Sequence, residues 1–191
     1  MPGPLELRFV LSADKLEALP DSPAEVAVVG RSNVGKSSLI NALANRTRLA
    51  ETSKTPGRTR LLNCFVRPDG TTFVDCPGYG YAAASKAVRS TWPAMIERYL
   101  VEREPLTMIL VLVDGEIGPT KLDLQMLEWL RSFDRPFTVV ATKHDKVRPS
   151  KRDRRKKEVA EAVGSGVVWV SAAKGTGIDR LRGLVVGWLE G

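Results

Sequence analysis

The sequence predicts an α/β fold, with a mostly parallel six-stranded sheet, one antiparallel strand and helices on both faces. Three observations carry this. Apolar, β-branched runs alternate with stripes of helical period along most of the chain. The run Met108-Ile-Leu-Val-Leu-Val113 shows no polar alternation, as expected of a strand covered on both faces. Pro68-Asp-Gly70 stands between two strand-like segments and supplies the turn chemistry of a hairpin, which gives the antiparallel strand.

In chain order, Met1-Pro-Gly-Pro reads as a mobile lead, and Ser12 to Leu19 as a short capped helix that Pro20 and Pro23 end. Residues 1–23 therefore read as an N-terminal extension with a short helix, and 24–191 as one domain. Glu25-Val-Ala-Val-Val29 is a buried strand. The helix after it carries Leu39, Ile40 and Leu43, and a polar loop follows from Thr47 to Arg58. Arg60 to Val66 and Thr71 to Asp75 are the antiparallel pair; a sharp turn at Asp75-Cys-Pro-Gly78 leads into a Gly/Ala-rich stretch. Trp92, Met95, Ile96, Tyr99 and Leu100 form the next helical stripe. Leu122, Leu124, Met126, Leu127 and Leu130 form another, before strands at 137–141 and 167–170. Ile178 to Leu189 closes the chain as an amphipathic helix with Leu181, Leu184, Val185 and Leu189 inward.

Composition narrows the function. Hydrophobic residues at 43% and charged residues at 27% are globular values. No apolar run approaches the roughly 20 residues needed to span a bilayer, and Met1 to Pro20 lacks the apolar core of a signal peptide, so the expected location is cytoplasmic. Cys64 and Cys76 lack metal-ligand spacing and read as reduced packing thiols, and the lone His144 cannot build a zinc site. The net charge of +7 points to a polyanionic partner; RNA, DNA and anionic lipid all satisfy charge alone.

Gly30 to Ser37 reads G-x-x-x-x-G-K-[ST], between a strand and a helix. Gly30 and Gly35 let the backbone N–H groups of Arg31, Ser32, Asn33 and Val34 converge on phosphates, with the helix N-terminus behind them at Ser38. Lys36 reaches the β- and γ-phosphates, and the Ser37 hydroxyl holds Mg²⁺. At the end of its strand, Asp75 can serve the Mg²⁺ shell and the Gly78 N–H can meet a γ-phosphate. Thr142-Lys-His-Asp145 and Ser171-Ala-Ala-Lys174 follow later strands, where an α/β sheet binds ligands. The Asp145 carboxylate can accept from guanine N1–H and its exocyclic amine, whereas adenine would leave it unpaired. Lys143 can lie along the base, and an N–H near Ala172 and Ala173 can donate to guanine O6.

These stretches, with Thr52-Ser-Lys-Thr-Pro-Gly-Arg-Thr59, closely resemble the EngB (YihA/YsxC) family, ribosome-biogenesis GTPases within the translation-factor-related P-loop GTPases. The resemblance covers about Val26 to Leu189. It implies a Ras-like domain that binds GTP and GDP with Mg²⁺, hydrolyses GTP slowly to GDP and phosphate, and acts as a nucleotide-dependent switch in assembly of the bacterial large ribosomal subunit. The implied partners are precursor rRNA and ribosomal proteins, with no membrane; the implied state is a monomer, and the cellular context includes cell division and septation. Gly57 and Thr59 would lie in switch I, with Thr59 joining Ser37 and Asp75 on the metal; Lys36, Thr59 and Gly78 would act in hydrolysis, and switch II would follow Gly78. Asn33 either places a K⁺ beside the phosphates or merely stabilises the loop.

The chain departs from the best-known GTPase pattern. Thr142 replaces an Asn, which predicts a weaker tether to the phosphate loop. Tyr79 stands where Ras-like enzymes carry a water-orienting Gln. Asp114, Pro119 and Asp123 match the family's next segment, but Glu116-Ile117 replaces its usual basic residues. A small P-loop kinase and an RNA-binding module with a structural nucleotide are the rival readings. Lys146, Arg148, Lys151, Arg152, Arg154, Arg155, Lys156 and Lys157 form a basic run suited to rRNA phosphates, and Arg58 and Arg60 a second patch.

Overall fold

One sheet organises the chain in this computed structural model, which describes residues 3–50, 61–80 and 94–191. Its strands are β1 (Arg8–Ala13), β2 (Glu25–Gly30), β3 (Leu62–Val66), β4 (Thr72–Asp75), β5 (Leu106–Asp114), β6 (Phe137–Thr142) and β7 (Val167–Trp169). They lie in the order β1-β3-β4-β2-β5-β6-β7. β3 pairs antiparallel with both β1 and β4, while β4, β2, β5, β6 and β7 pair parallel to one another. β3 is thus the one strand that opposes the others, as expected. It is joined to β4 by a turn in which the Gly70 N–H donates to the Arg67 carbonyl.

The sheet has seven strands where six were expected, because β1 adds an edge strand that starts ahead of the stretch read as a helix and takes its first two residues, Ser12 and Ala13. Only a single 3-10 turn, Leu16–Ala18, forms there. β1 is an edge strand with Phe9 and Val10 exposed and a register shift between Phe9 and Leu11, so its sequence lacks the clean alternation of a half-buried strand.

The helices are α1 (Lys36–Leu43), α2 (Ala94–Glu102), α3 (Lys121–Ser132), α4 (Arg152–Val163) and α5 (Ile178–Glu190). Side chains of β5 alternate between two cores. Ile109, Val111 and Val113 meet Ile96, Tyr99, Met126, Leu130 and Val159 from α2, α3 and α4. Leu110 and Leu112 meet Leu39, Ile40, Leu181, Val185 and Leu189 from α1 and α5. Covered on both faces, β5 has no need of polar alternation. Cys64 and Cys76 are free, buried thiols; burial pushes Cys64 up to about 12 and Cys76 well above its ordinary value.

The far end of the sheet is fixed by a buried carboxylate. Glu25 accepts from the Thr72 hydroxyl (2.6 Å), the Tyr99 hydroxyl (2.8 Å) and the Arg103 guanidinium (3.1 Å). Arg103 also donates to the Pro20 carbonyl at 2.6 Å. This network ties β2, β4, α2 and the N-terminal segment together away from the phosphate loop, and each Glu25 oxygen has two donors.

Candidate nucleotide site

The loop between β2 and α1 is built on close approach. A Cβ on Gly30 would sit 2.8 Å from Val34 Cγ1, and Gly35 has φ +108° where it caps α1. Val34 is buried beneath the loop, while Asn33, at φ 62°, is exposed at its crest. Lys36, Ser37 and Ser38 form the first turn of α1, so the helix N-terminus and its unpaired N–H groups open towards the site.

Asp75 ends β4 beside this loop. Burial pushes its carboxyl up to about 6, against the pull of the Lys36 charge and an Asn63 hydrogen bond. Its Oδ1 is buried with no hydrogen-bond partner among the described residues. A buried carboxylate oxygen left unpaired in the protein is a ligand for a cation, and with the Ser37 hydroxyl it makes the hard oxygen set that suits Mg²⁺. The residues therefore fit the metal.

Gly78 lies directly over the loop. A Cβ there would be 3.0 Å from the Ser32 Cα and N and 3.2 Å from Lys36 Nζ. The contact is held by a parallel bridge between Arg31 and Tyr79, in which the Tyr79 N–H donates to the Gly30 carbonyl (3.3 Å) and the Ser32 N–H to the Tyr79 carbonyl (3.0 Å). The Tyr79 side chain is only 2% exposed, and its hydroxyl donates to Asp123 Oδ1 at 2.7 Å. It is directed into the core beside α3, which accords with the expectation that it does not orient water.

The stretches that follow β6 and β7 converge on the same loop. The Thr142 hydroxyl donates to the Val34 carbonyl at 2.7 Å, with the Val113 carbonyl further away at 3.2 Å. The tether expected to be weaker is thus present as one short bond, since a hydroxyl has a single proton to give. Lys143, at φ 55°, reaches Asp114 Oδ2 at 2.6 Å. Burial pushes the Asp114 carboxyl up, but the Lys143 hydrogen bond and charge, with the N–H groups of Glu116 and Ile117, outweigh it and hold it below its ordinary value. Asp145 accepts from the Ser171 hydroxyl at 2.5 Å, and this bond holds its carboxyl low despite some burial. Ser171 is fully buried and accepts in turn from the Lys174 N–H. A cavity of about 480 Å³ joins these parts, lined by Gly35, Ser38, Thr142, Lys143, Asp145, Ala172 and Ala173 among others. Gly57 and Thr59, with Arg58 and Arg60, lie outside the described residues.

Three contributors carried no assigned role in the sequence reading. Asn41 on α1 lines the cavity and grips the Ala50 backbone, donating to its carbonyl (2.9 Å) and accepting from its N–H (2.8 Å). A polar residue on the buried stripe of α1 was the available signal. His144 is a wedge: it is buried, its ring packs edge-on against Trp169 at 5.3 Å, and its backbone N–H donates to the Val170 carbonyl. Burial first, then the charges of Lys156 and Arg152, lowers its pKa. The pairing of Asp123 with Tyr79 had no signal, because it joins residues 44 apart in sequence.

Residues 25–143 match the family model of the 50S ribosome-binding GTPase. The chain is 47% identical over 157 residues to a probable GTP-binding protein EngB of Clostridium perfringens (strain SM101 / Type A), covering 82% of this chain and 80% of that protein. It is 45% identical over 170 residues to the probable GTP-binding protein EngB of Thermotoga maritima, covering 87% of each. The crystal structure of a probable GTP-binding protein engB superposes with a TM-score of 0.67 at 22% identity, over 87% of this chain and 99% of that one, and so shares the fold.

Proposed function

Because this chain belongs to the EngB family of P-loop GTPases, binding GTP and hydrolysing it to GDP and phosphate, we propose that it works as a nucleotide-operated switch in assembly of the bacterial large ribosomal subunit. The observation that carries the switch reading is the contact of Gly78 with Ser32 and Lys36. A γ-phosphate held by this loop must meet the Gly78 peptide, so its presence or loss is felt by the chain that follows. Lys36 and the loop N–H groups neutralise phosphate charge, Gly78 donates to the γ-phosphate, and Asp145 reads guanine. Ser37 and Asp75, with Thr59, would hold Mg²⁺, which when bound neutralises charge on the β- and γ-oxygens. Tyr79 is turned away from that chemistry, so unassisted hydrolysis is slow and a partner positions the water.

Exposed Asn33 stands where its amide can meet a monovalent cation beside the phosphates, and turnover is expected to be faster in K⁺ than in Na⁺ at equal ionic strength; equal rates would remove the cation. The same reading makes the protein a cytoplasmic monomer, tied through ribosome supply to cell division and septation. No described helix is long and apolar enough to cross a membrane.

The partner surface is the basic face of α4. Arg154 is 84% exposed and pairs with Glu158 at 2.7 Å, and Lys151, Lys156 and Lys157 are also exposed. Two residues of the run are half-buried: Arg152, whose Nε donates to the Val147 carbonyl at 3.2 Å, and Arg155. Arg155 leans inward, its Nη1 only 3.4 Å from where a Cβ of Gly118 would lie, and it pairs with Glu158 at 3.3 Å. Changing Arg154, Lys156 and Lys157 together to Gln is expected to flatten the slope of log affinity for large-subunit precursors against log salt by about two units, with GTP affinity unchanged. An unchanged slope would move the rRNA contact off α4.

A further inference from the structure

Gly78 has no side chain with which to fix its own peptide, and the bridge that holds this stretch to the loop is made by the next residue, through the Tyr79 N–H on the Gly30 carbonyl (3.3 Å) and the Ser32 N–H on the Tyr79 carbonyl (3.0 Å). The residue beside it is anchored far more firmly. The Tyr79 ring sits in the core cluster with Met126 and Leu127 of α3, and its hydroxyl donates to Asp123 Oδ1 at 2.7 Å. Asp123 is itself fully buried and immobilised. Its Oδ2 accepts from the Thr120 N–H (2.7 Å) and hydroxyl (2.8 Å), and the Asp123 N–H returns to the Thr120 hydroxyl, which makes it half of the capping box that starts α3. Burial and the adjacent carboxylate push the Tyr79 hydroxyl well above its ordinary pKa, so it remains a donor. A twelve-residue helix packed on the sheet thereby sets the position of the residue next to Gly78.

We propose that Tyr79 is a positioning residue for GTP hydrolysis: its hydroxyl, held by Asp123, fixes the Gly78 peptide against the phosphate loop. The proposal rests on the assignment of Gly78 to the γ-phosphate. GDP has no γ-phosphate, so its binding does not sense this bond, whereas the hydrolytic step depends on it. A bond that served only the fold would lower stability and weaken GDP and GTP alike.

The test is single-turnover hydrolysis at saturating GTP, with affinities for GDP and a non-hydrolysable GTP analogue and the melting temperature measured in parallel. For Tyr79→Phe, the rate is expected to fall roughly ten- to a hundredfold, with GDP affinity within about twofold of the parent. Asp123→Asn approaches the bond from the other side. Only one of its terminal atoms can still accept, so it should also slow hydrolysis more than it weakens GDP. Thr120→Val removes both hydroxyl bonds that hold Asp123 in the cap but leaves the Thr120 N–H on its Oδ2, and should lower the melting temperature while slowing hydrolysis less than Tyr79→Phe does. A parental rate in Tyr79→Phe, a matching loss of GDP affinity, or equal slowing by Thr120→Val would overturn the proposal. Gly78→Ala keeps the N–H but adds a Cβ 3.0 Å from Ser32 that must lift the peptide from the loop, and so separates the underlying assignment: if it hydrolyses at the parental rate, the seating of Gly78 on the loop does not serve the γ-phosphate; if it is slow while Tyr79→Phe is normal, only the role of Tyr79 fails.

Discussion

Asp145→Asn is expected to bind GTP more weakly by on the order of several kcal/mol and to gain affinity for xanthosine triphosphate. The carboxylate offers two acceptors to the guanine N1–H and exocyclic amine. An Asn offers one acceptor and one donor, which suits the N1–H and C2 carbonyl of xanthine and sets a donor against the guanine amine. The substitution should leave the site standing. Asp145 Oδ1 accepts from the buried Ser171 hydroxyl at 2.5 Å, and an Asn amide oxygen can keep that bond while its nitrogen turns to the base. Calorimetric titration with both nucleotides measures the exchange; undiminished GTP affinity would show that Asp145 does not read the base.

Asp75→Asn is expected to stabilise the nucleotide-free protein while abolishing Mg²⁺-dependent GTP binding. Burial raises the folded-state pKa of Asp75 to about 6 from an ordinary 3.8, so keeping it ionised at pH 7 costs the fold about 2–3 kcal/mol. The neutral, isosteric amide removes that cost, and the melting temperature of the variant should exceed the parent's by about 5–10 °C. Because the pKa is raised on folding, the parent binds more protons folded than unfolded between about pH 4 and 6. Its own stability therefore rises as pH falls through 6, and the advantage of the variant, full above pH 6, disappears near pH 4. Thermal melts across this range check the sign. A variant less stable than the parent at pH 7 would mean that the Lys36 charge and the Asn63 hydrogen bond outweigh the burial of the Asp75 carboxylate. Gains of stability on removing a site carboxylate mark groups whose compensation comes with the ligand.

The parallel core and the phosphate loop were legible because their signals are local. β2 and β5 read as unbroken apolar runs, and Gly30 to Ser37 fixes spacing, backbone freedom and charge within eight residues. Thr142-Lys-His-Asp145 and Ser171-Ala-Ala-Lys174 were legible as positions after strands, and the structure brings both to one cavity. What escaped was long-range or half-exposed. β1 reads poorly because an edge strand with a register shift and an exposed Phe9 keeps little periodicity. The pinning of Asp145 by Ser171, of Asp114 by Lys143 and of Tyr79 by Asp123 each joins residues more than 25 apart, and no pattern along the chain encodes such pairs. Arg155 looked like its neighbours in the basic run, and only the packing of α4 against the turn at Gly118 turns it inward.

The measurement that bears most directly on the switch reading is co-sedimentation with large-subunit precursors, with the protein loaded with a non-hydrolysable GTP analogue or with GDP at one salt concentration. Binding at least about tenfold tighter in the GTP-like state is the predicted result, equivalent to about 1.4 kcal/mol of coupling between nucleotide and particle. Equal binding in the two states would contradict the account, leaving an RNA-binding protein in which the nucleotide serves only the fold.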